Sequence, residues 1–172
     1  SERRERRKAA QQEALQKSRE NLDSLSKTLG VNHRSVRLQR AKFVQELLRA
    51  GEKDEVVHLL EREVQYFRGK RGNTDEKTLA AMLKLAGAQE SIENVRETQQ
   101  VVFETLGKDH PLALKSQCAI ASLLLSQGRR EEAKEEMEDC MDRTRKLFGE
   151  DSPIFWSALG LVALIETGCG ER

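Results

Sequence analysis

Apolar positions recur along this chain at steps of three and four residues, the interval that brings side chains to one side of a helix. Between Pro111 and Ser126 the apolar set is Leu112, Leu114, Ile120, Leu123, Leu124 and Leu125. After a break at Gln127-Gly128-Arg129, the residues Ala133, Met137, Cys140, Met141 and Thr144 form a second stripe. That segment opens acidic (Glu131, Glu132, Glu135, Glu136) and closes basic (Arg143, Arg145, Lys146). The order complements a helix dipole. No run alternates with a period of two, and no Asn-Gly or Asp-Gly pair marks a hairpin. The pattern predicts helices at roughly 3–28, 35–49, 53–69, 75–86, 89–105, 111–126, 130–147 and 153–167.

Glycines divide the pattern into units. Gly30, Gly72, Gly107 and Gly149 stand 42, 35 and 42 residues apart. Gly51, Gly128 and Gly170 each follow one of these by 21 residues. Pro111 and Pro153, the only prolines, are 42 apart, in LGKDHP and FGEDSP. Each unit reads as helix, glycine turn, helix, glycine stop. Glycine closes helices in the left-handed conformation, and proline suits the first helical position. His110 reads as a capping residue. The expectation is an all-α, right-handed helical-repeat solenoid of stacked antiparallel helix pairs. It forms one domain over 1–172, with units near 1–30, 31–72, 73–107, 108–149 and an incomplete 150–172. The 73–107 unit is seven residues short and lacks a counterpart of Leu123–Arg129. Gly87 is its only breaker, so a tight turn is expected there, with loose packing at 75–91.

The run LG-x-DHP, then QGRREEA, then LFG resembles the 42-residue tetratricopeptide repeat of kinesin light chains. Ala121, Ala133 and Cys140 fall on that family's small positions, and Ile120, Leu124, Met137 and Met141 on its large apolar ones. The resemblance is sharpest over Leu106–Pro153. The 35-residue spacing alone is also that of pentatricopeptide RNA-binding repeats, one spacing against two of 42. The kinesin light chain resemblance implies a concave groove lined by the first helix of each unit. Its residues would be Leu38, Ala41, Gln45 and Arg49; Ala80 and Leu83; Lys115, Cys118, Ser122 and Ser126; and Ser157, Gly160, Leu164 and Thr167. The family's groove carries an asparagine pair. The matching positions here are Ala41-Lys42, Leu83-Lys84, Cys118-Ala119 and Gly160-Leu161. A small, apolar groove of this kind suits a helix or a neighbouring subunit better than an extended peptide backbone.

Composition narrows the chemistry. Charged residues make up 34% and aromatics 4%, which suits long solvated helices rather than a compact enzyme core. Cys118, Cys140 and Cys169 form no CxxC and no close pair in sequence. They read as reduced thiols of an intracellular protein. The cytoplasm is the first expectation, or an organelle interior if the chain, which opens at Ser1, is a processed product. The longest apolar stretch, 154–165, is too short for a membrane span. His33, His58 and His110 are scattered, and His58 with Glu55 and Glu61 offers helix-spaced metal ligands. Charged helix faces produce such sets routinely. No nucleophile set or phosphate loop is present, so no enzyme activity, metal, cofactor or small-molecule substrate is expected.

Charge and the C-terminal segment point to surfaces. Residues 1–49 carry 13 Lys/Arg against 6 Asp/Glu, and 50–172 carry 17 against 23. A basic patch of Arg3, Arg4, Arg6, Arg7, Arg34, Arg37 and Lys42 would suit nucleic acid or another anionic surface. Phe43 is the only aromatic residue in 1–49, which gives base stacking little to work with. The segment 153–167 is apolar around nearly its whole circumference, and its unit stops at Gly170-Glu171-Arg172. Phe155 and Trp156 are therefore expected to anchor a covering chain or further residues. The leading expectation is a non-catalytic scaffold or accessory subunit that binds other protein subunits through its groove and end helix. Nucleic-acid binding by the basic third is the alternative, and a regulatory module of a larger enzyme or motor a third class.

Overall fold

The structure is a computed structural model and describes residues 2–167. Eight helices follow one another: α1 (Glu2–Leu29), α2 (Arg34–Ala50), α3 (Lys53–Arg71), α4 (Glu76–Ala88), α5 (Ile92–Leu106), α6 (Pro111–Ser126), α7 (Arg130–Phe148) and α8 (Pro153–Thr167). No strand occurs among the described residues. The chain divides into two compact units, one ending at Tyr66 and one beginning at Phe67.

In the second unit each helix packs on the next, and α6 also touches both α4 and α8. The first helices of successive pairs therefore lie side by side, backed by the second helices. Leu79, Val95, Val102, Leu114, Ile120, Leu124 and Met137 fill the interior and are almost wholly shielded from solvent. Ala113, Ala121, Ala133, Cys140 and Ala158 are fully buried between them. Side chains this small let helix backbones approach closely. In the first unit α1 packs on α2 around Leu15, Leu22, Val36, Phe43 and Leu47. Arg19 on α1 reaches Glu55 on α3 through two hydrogen bonds of 2.9 and 2.6 Å. Residues 2–14 of α1 are exposed throughout.

The turns repeat as the helices do. Within each of the three complete pairs the connection is a Schellman turn. Glu52 N donates to Leu47 O and Gly51 N to Leu48 O; Ser91 N to Ala86 O and Glu90 N to Gly87 O; Arg129 N to Leu124 O and Gly128 N to Leu125 O. The left-handed residue is Gly51, Glu90 or Gly128, with φ of 81°, 54° and 74°. Between pairs, a positive-φ glycine is followed three residues later by a cap. His33 Nδ1, Asp75 Oδ1, His110 Nδ1 and Ser152 Oγ each accept from the backbone N–H two residues on. These caps repeat the 42, 35 and 42 spacing of the glycines.

The short unit differs from the expectation. The turn falls not at Gly87, which stays helical, but at Gln89-Glu90. Ser91 sets this position: its Oγ accepts from Asn94 N at 3.1 Å and starts α5 there. The missing residues are shared between the helices. α4 has 13 residues against 16 in α6, and α5 has 15 against 19 in α7. About one turn is lost from each side of the same tip. Leu79, Ala81, Leu83, Ala86, Val95 and Val102 are all buried, so the pair is shortened without being hollow.

Candidate partner-binding surfaces

The groove positions lie on helices whose opposite faces are buried, which decides their exposure. On α6, Lys115, Ser122 and Ser126 are exposed, and Cys118 is half-buried. On α8, Ser157, Gly160, Leu164 and Thr167 are exposed. On α4, Ala80 is half-buried and Leu83 buried, so that helix offers little. Since α6 touches both α4 and α8, the exposed residues of α6 and α8 belong to neighbouring helices of one layer. In the first unit, Leu38, Ala41, Gln45 and Arg49 run along the exposed side of α2, with Leu38 57% exposed. Beneath the α6 stripe, Gln99 Nε2 donates to Ser116 Oγ at 2.9 Å, and Ser116 donates onward to Ala113 O.

Trp156 is 61% exposed and Leu164 47%. Phe155, expected to share the anchoring, is buried at 4%. Its ring lies edge-on to Trp156 and carries the Arg145 guanidinium 5.7 Å from its centroid. The 100° step between neighbours on a helix sends one ring inward and leaves the other in solvent. Between α7 and α8 runs a groove of about 500 Å³. Met137, Met141, Leu159, Val162 and Ile165 line it, rimmed by Lys134, Glu138, Asp142, Arg145 and Glu166. Arg130 closes one end by donating to Glu166 O. Gly170, Glu171, Arg172 and Cys169 lie outside the described residues.

The basic residues do not form one patch. Arg3, Arg4, Arg6 and Arg7 are exposed at the start of α1. Gln12 on α1 bonds Glu52 just past the end of α2, which fixes the antiparallel register. Arg34 and Arg37 begin α2, at the other end of the pair, about 30 Å away along the axis at 1.5 Å per residue. Arg37 stacks 4.4 Å from the centroid of Tyr66. Sequence shows the charge but not the antiparallel fold that separates it. Sequence also gives no sign that Arg40 is buried, at 4%, donating to Val31 O at 2.6 Å. Burial, with Arg62 nearby, pushes its guanidinium below the ordinary arginine range.

Two further placements concern chemistry. Glu55 is taken up by Arg19, so the His58 set does not converge. Among the described residues no cluster could hold a metal ion, and no helix is long and apolar enough to cross a membrane. Cys118 and Cys140, unpaired by sequence spacing, are brought to 3.9 Å between sulfurs by the packing of α6 on α7. The available signal was that both fall on inward or groove positions of one helix pair.

Residues 114–154 match the tetratricopeptide repeat family. That stretch, from α6 to the start of α8, reads as one tetratricopeptide repeat. Two crystal structures share its fold, both of a Podosopora anserina chain of nearly identical TPR-like repeats assigned to the kinesin light chains. One of them, a point variant, aligns with a TM-score of 0.62 and the other with 0.60, each at 24% identity, over 99% of this chain and 84% of that one. No curated protein matches the sequence significantly. The tetratricopeptide repeat fold is in general a non-catalytic scaffold that binds protein partners.

Proposed function

We propose that this chain is a tetratricopeptide repeat protein throughout and serves as a non-catalytic accessory subunit or scaffold, inside the cell, that holds a partner protein by a helix. The single helical-repeat domain read from the glycine period supplies two contact surfaces. One, in the second unit, is the exposed stripe of Lys115, Cys118, Ser122 and Ser126 on α6 with Leu164 on α8; the first unit has its own stripe on α2 with Gln45 and Arg49. The other is the α7–α8 groove, together with Trp156 exposed on the same α8. The observation that carries the reading is the state of α8. A helix with Trp156 61% and Leu164 47% exposed, beside an open groove floored by methionines, has apolar surface that solvent does not favour. α7 shows what fills such a site, since it lays Ala133, Met137 and Cys140 between α6 and α8. An amphipathic helix with small and unbranched apolar residues is the matching ligand.

The test is cross-linking mass spectrometry of the chain with partners captured from cells, beside Trp156→Lys, Leu159→Glu and Ser122→Trp. Loss of a cross-linked partner helix in the first two places binding at the end groove, and loss in the third places it on the α6 stripe. Retention of every partner by all three folded variants overturns both surfaces.

A further inference from the structure

Cys118 on α6 and Cys140 on α7 are 22 residues apart in sequence and face each other with sulfurs 3.9 Å apart. Both are free thiols. We propose that they are a redox pair, oxidised by hydrogen peroxide to an intramolecular disulfide that staples α6 to α7.

The geometry is asymmetric in a useful way. Cys118 is half-buried on the exposed side of α6, so a small oxidant reaches it. Cys140 is fully buried, so no external reagent competes for it. The Cys140 sulfur lies 3.9 Å from Thr144 Oγ1 and 3.8 Å from Leu114 O. A disulfide requires the sulfurs at about 2.05 Å, so they must close by about 2 Å. That closure requires rotation about the two Cα–Cβ bonds and a movement of α6 against α7. Donation from Cys118, aided by Thr144, holds the Cys140 thiol below its ordinary range. The bond to Cys140, reinforced by burial, pushes the Cys118 thiol up. Access rather than acidity therefore assigns the roles: the half-buried Cys118 meets the oxidant, although its raised pKa slows that step, and the buried Cys140 beside it is placed to resolve the product.

The steps balance. Cys118 first gives its proton to solvent, and its thiolate attacks one peroxide oxygen; the O–O bond breaks, sulfenic acid forms and the departing hydroxide takes up a proton and leaves as water. The Cys140 sulfur attacks the Cys118 sulfur, the S–O bond breaks, and the hydroxyl leaves as a second water with the Cys140 proton. Two thiols lose two electrons, and one peroxide gains them. The product draws Cys118 away from the exposed stripe toward α7 and fixes the hairpin.

The experiment uses the full chain with Cys169→Ser, so that only this pair can react. After hydrogen peroxide, intact mass should fall by two hydrogens. Peptide mapping should join the Cys118 and Cys140 segments, the thiol titre should drop by two per chain, and the melting temperature should rise by several degrees. Dithiothreitol should reverse all four. Cys118→Ser should leave Cys140 reduced under the same treatment. Cys140→Ser should leave Cys118 as a sulfenic acid trapped by dimedone. Unchanged thiols, a stable sulfenic or sulfinic acid at Cys118 in the parent, or only intermolecular links would overturn the proposal.

Discussion

Single residues in this chain are set by their place in the repeat more than by their own preferences. Glu90 is the clearest case. It occupies the left-handed position that Gly51 and Gly128 hold in the other two turns, with φ of 54°. A residue with a Cβ is strained there by about 1 kcal/mol, part of which glycine returns through its freer unfolded chain. Glu90→Gly should raise stability by about 0.5 kcal/mol, read from the denaturant midpoint. An unchanged or lower midpoint would show that the turn is not strained. Leu124 lies at the opposite extreme. It is fully buried, and its carbonyl accepts from Arg129 N to close the α6–α7 turn. Leu124→Ala should cost about 3 kcal/mol from lost burial and the cavity left behind. A melting temperature close to the parent's would mean that the site collapses around the change. His110 was legible as a cap from its place before Pro111, and its Nδ1 accepts from Leu112 N at 3.1 Å. The burial of Phe155 was not legible, because an apolar helix with no polar face gives periodicity nothing to orient.

At the scale of elements, all eight helices were readable from glycine spacing and apolar stripes, since both record the same repeat. What the sequence concealed are contacts between residues far apart along the chain. The Arg19–Glu55 pair joins α1 to α3 across 36 positions, and no local pattern marks it. Hydrogen bonding to Arg19 holds the Glu55 carboxyl below the ordinary glutamate range. A carboxyl with a lowered folded-state pKa stabilises the fold above its unfolded pKa of about 4.3. That stability fades as pH falls through the lower folded-state value. Glu55→Gln should therefore melt below the parent at pH 7, and the gap should narrow as pH falls through about 4. A gap that stays constant down to pH 3 would assign the loss to packing. The cysteine pair was hidden for the same reason: its partners meet only once α6 and α7 are antiparallel and in register.

Over the whole molecule, surface properties follow from where helices find neighbours. Residues 2–14 of α1 project as solvated helix with no buried side chain before Leu15. Stability there is local, so trypsin should cut first within Arg3–Lys8 and leave a product that melts like the parent. A first cut inside α4–α7, seen by mass spectrometry, would contradict this. The shortened α4–α5 tip has a different consequence. Its turn stops about one helical turn, roughly 5 Å, below the tip of the α6–α7 hairpin beside it. The second unit thus has a terrace at the ends of its hairpins, vacant above Gln89 and Glu90 and walled by the taller pair. Up to seven added residues there would rise only level with Gln127-Gly128, lengthening α4 and α5 outward while every side chain below keeps its facing. The terrace is the chain's natural graft point, where a foreign epitope or a spectroscopic label can be built in without disturbing the helices that carry it.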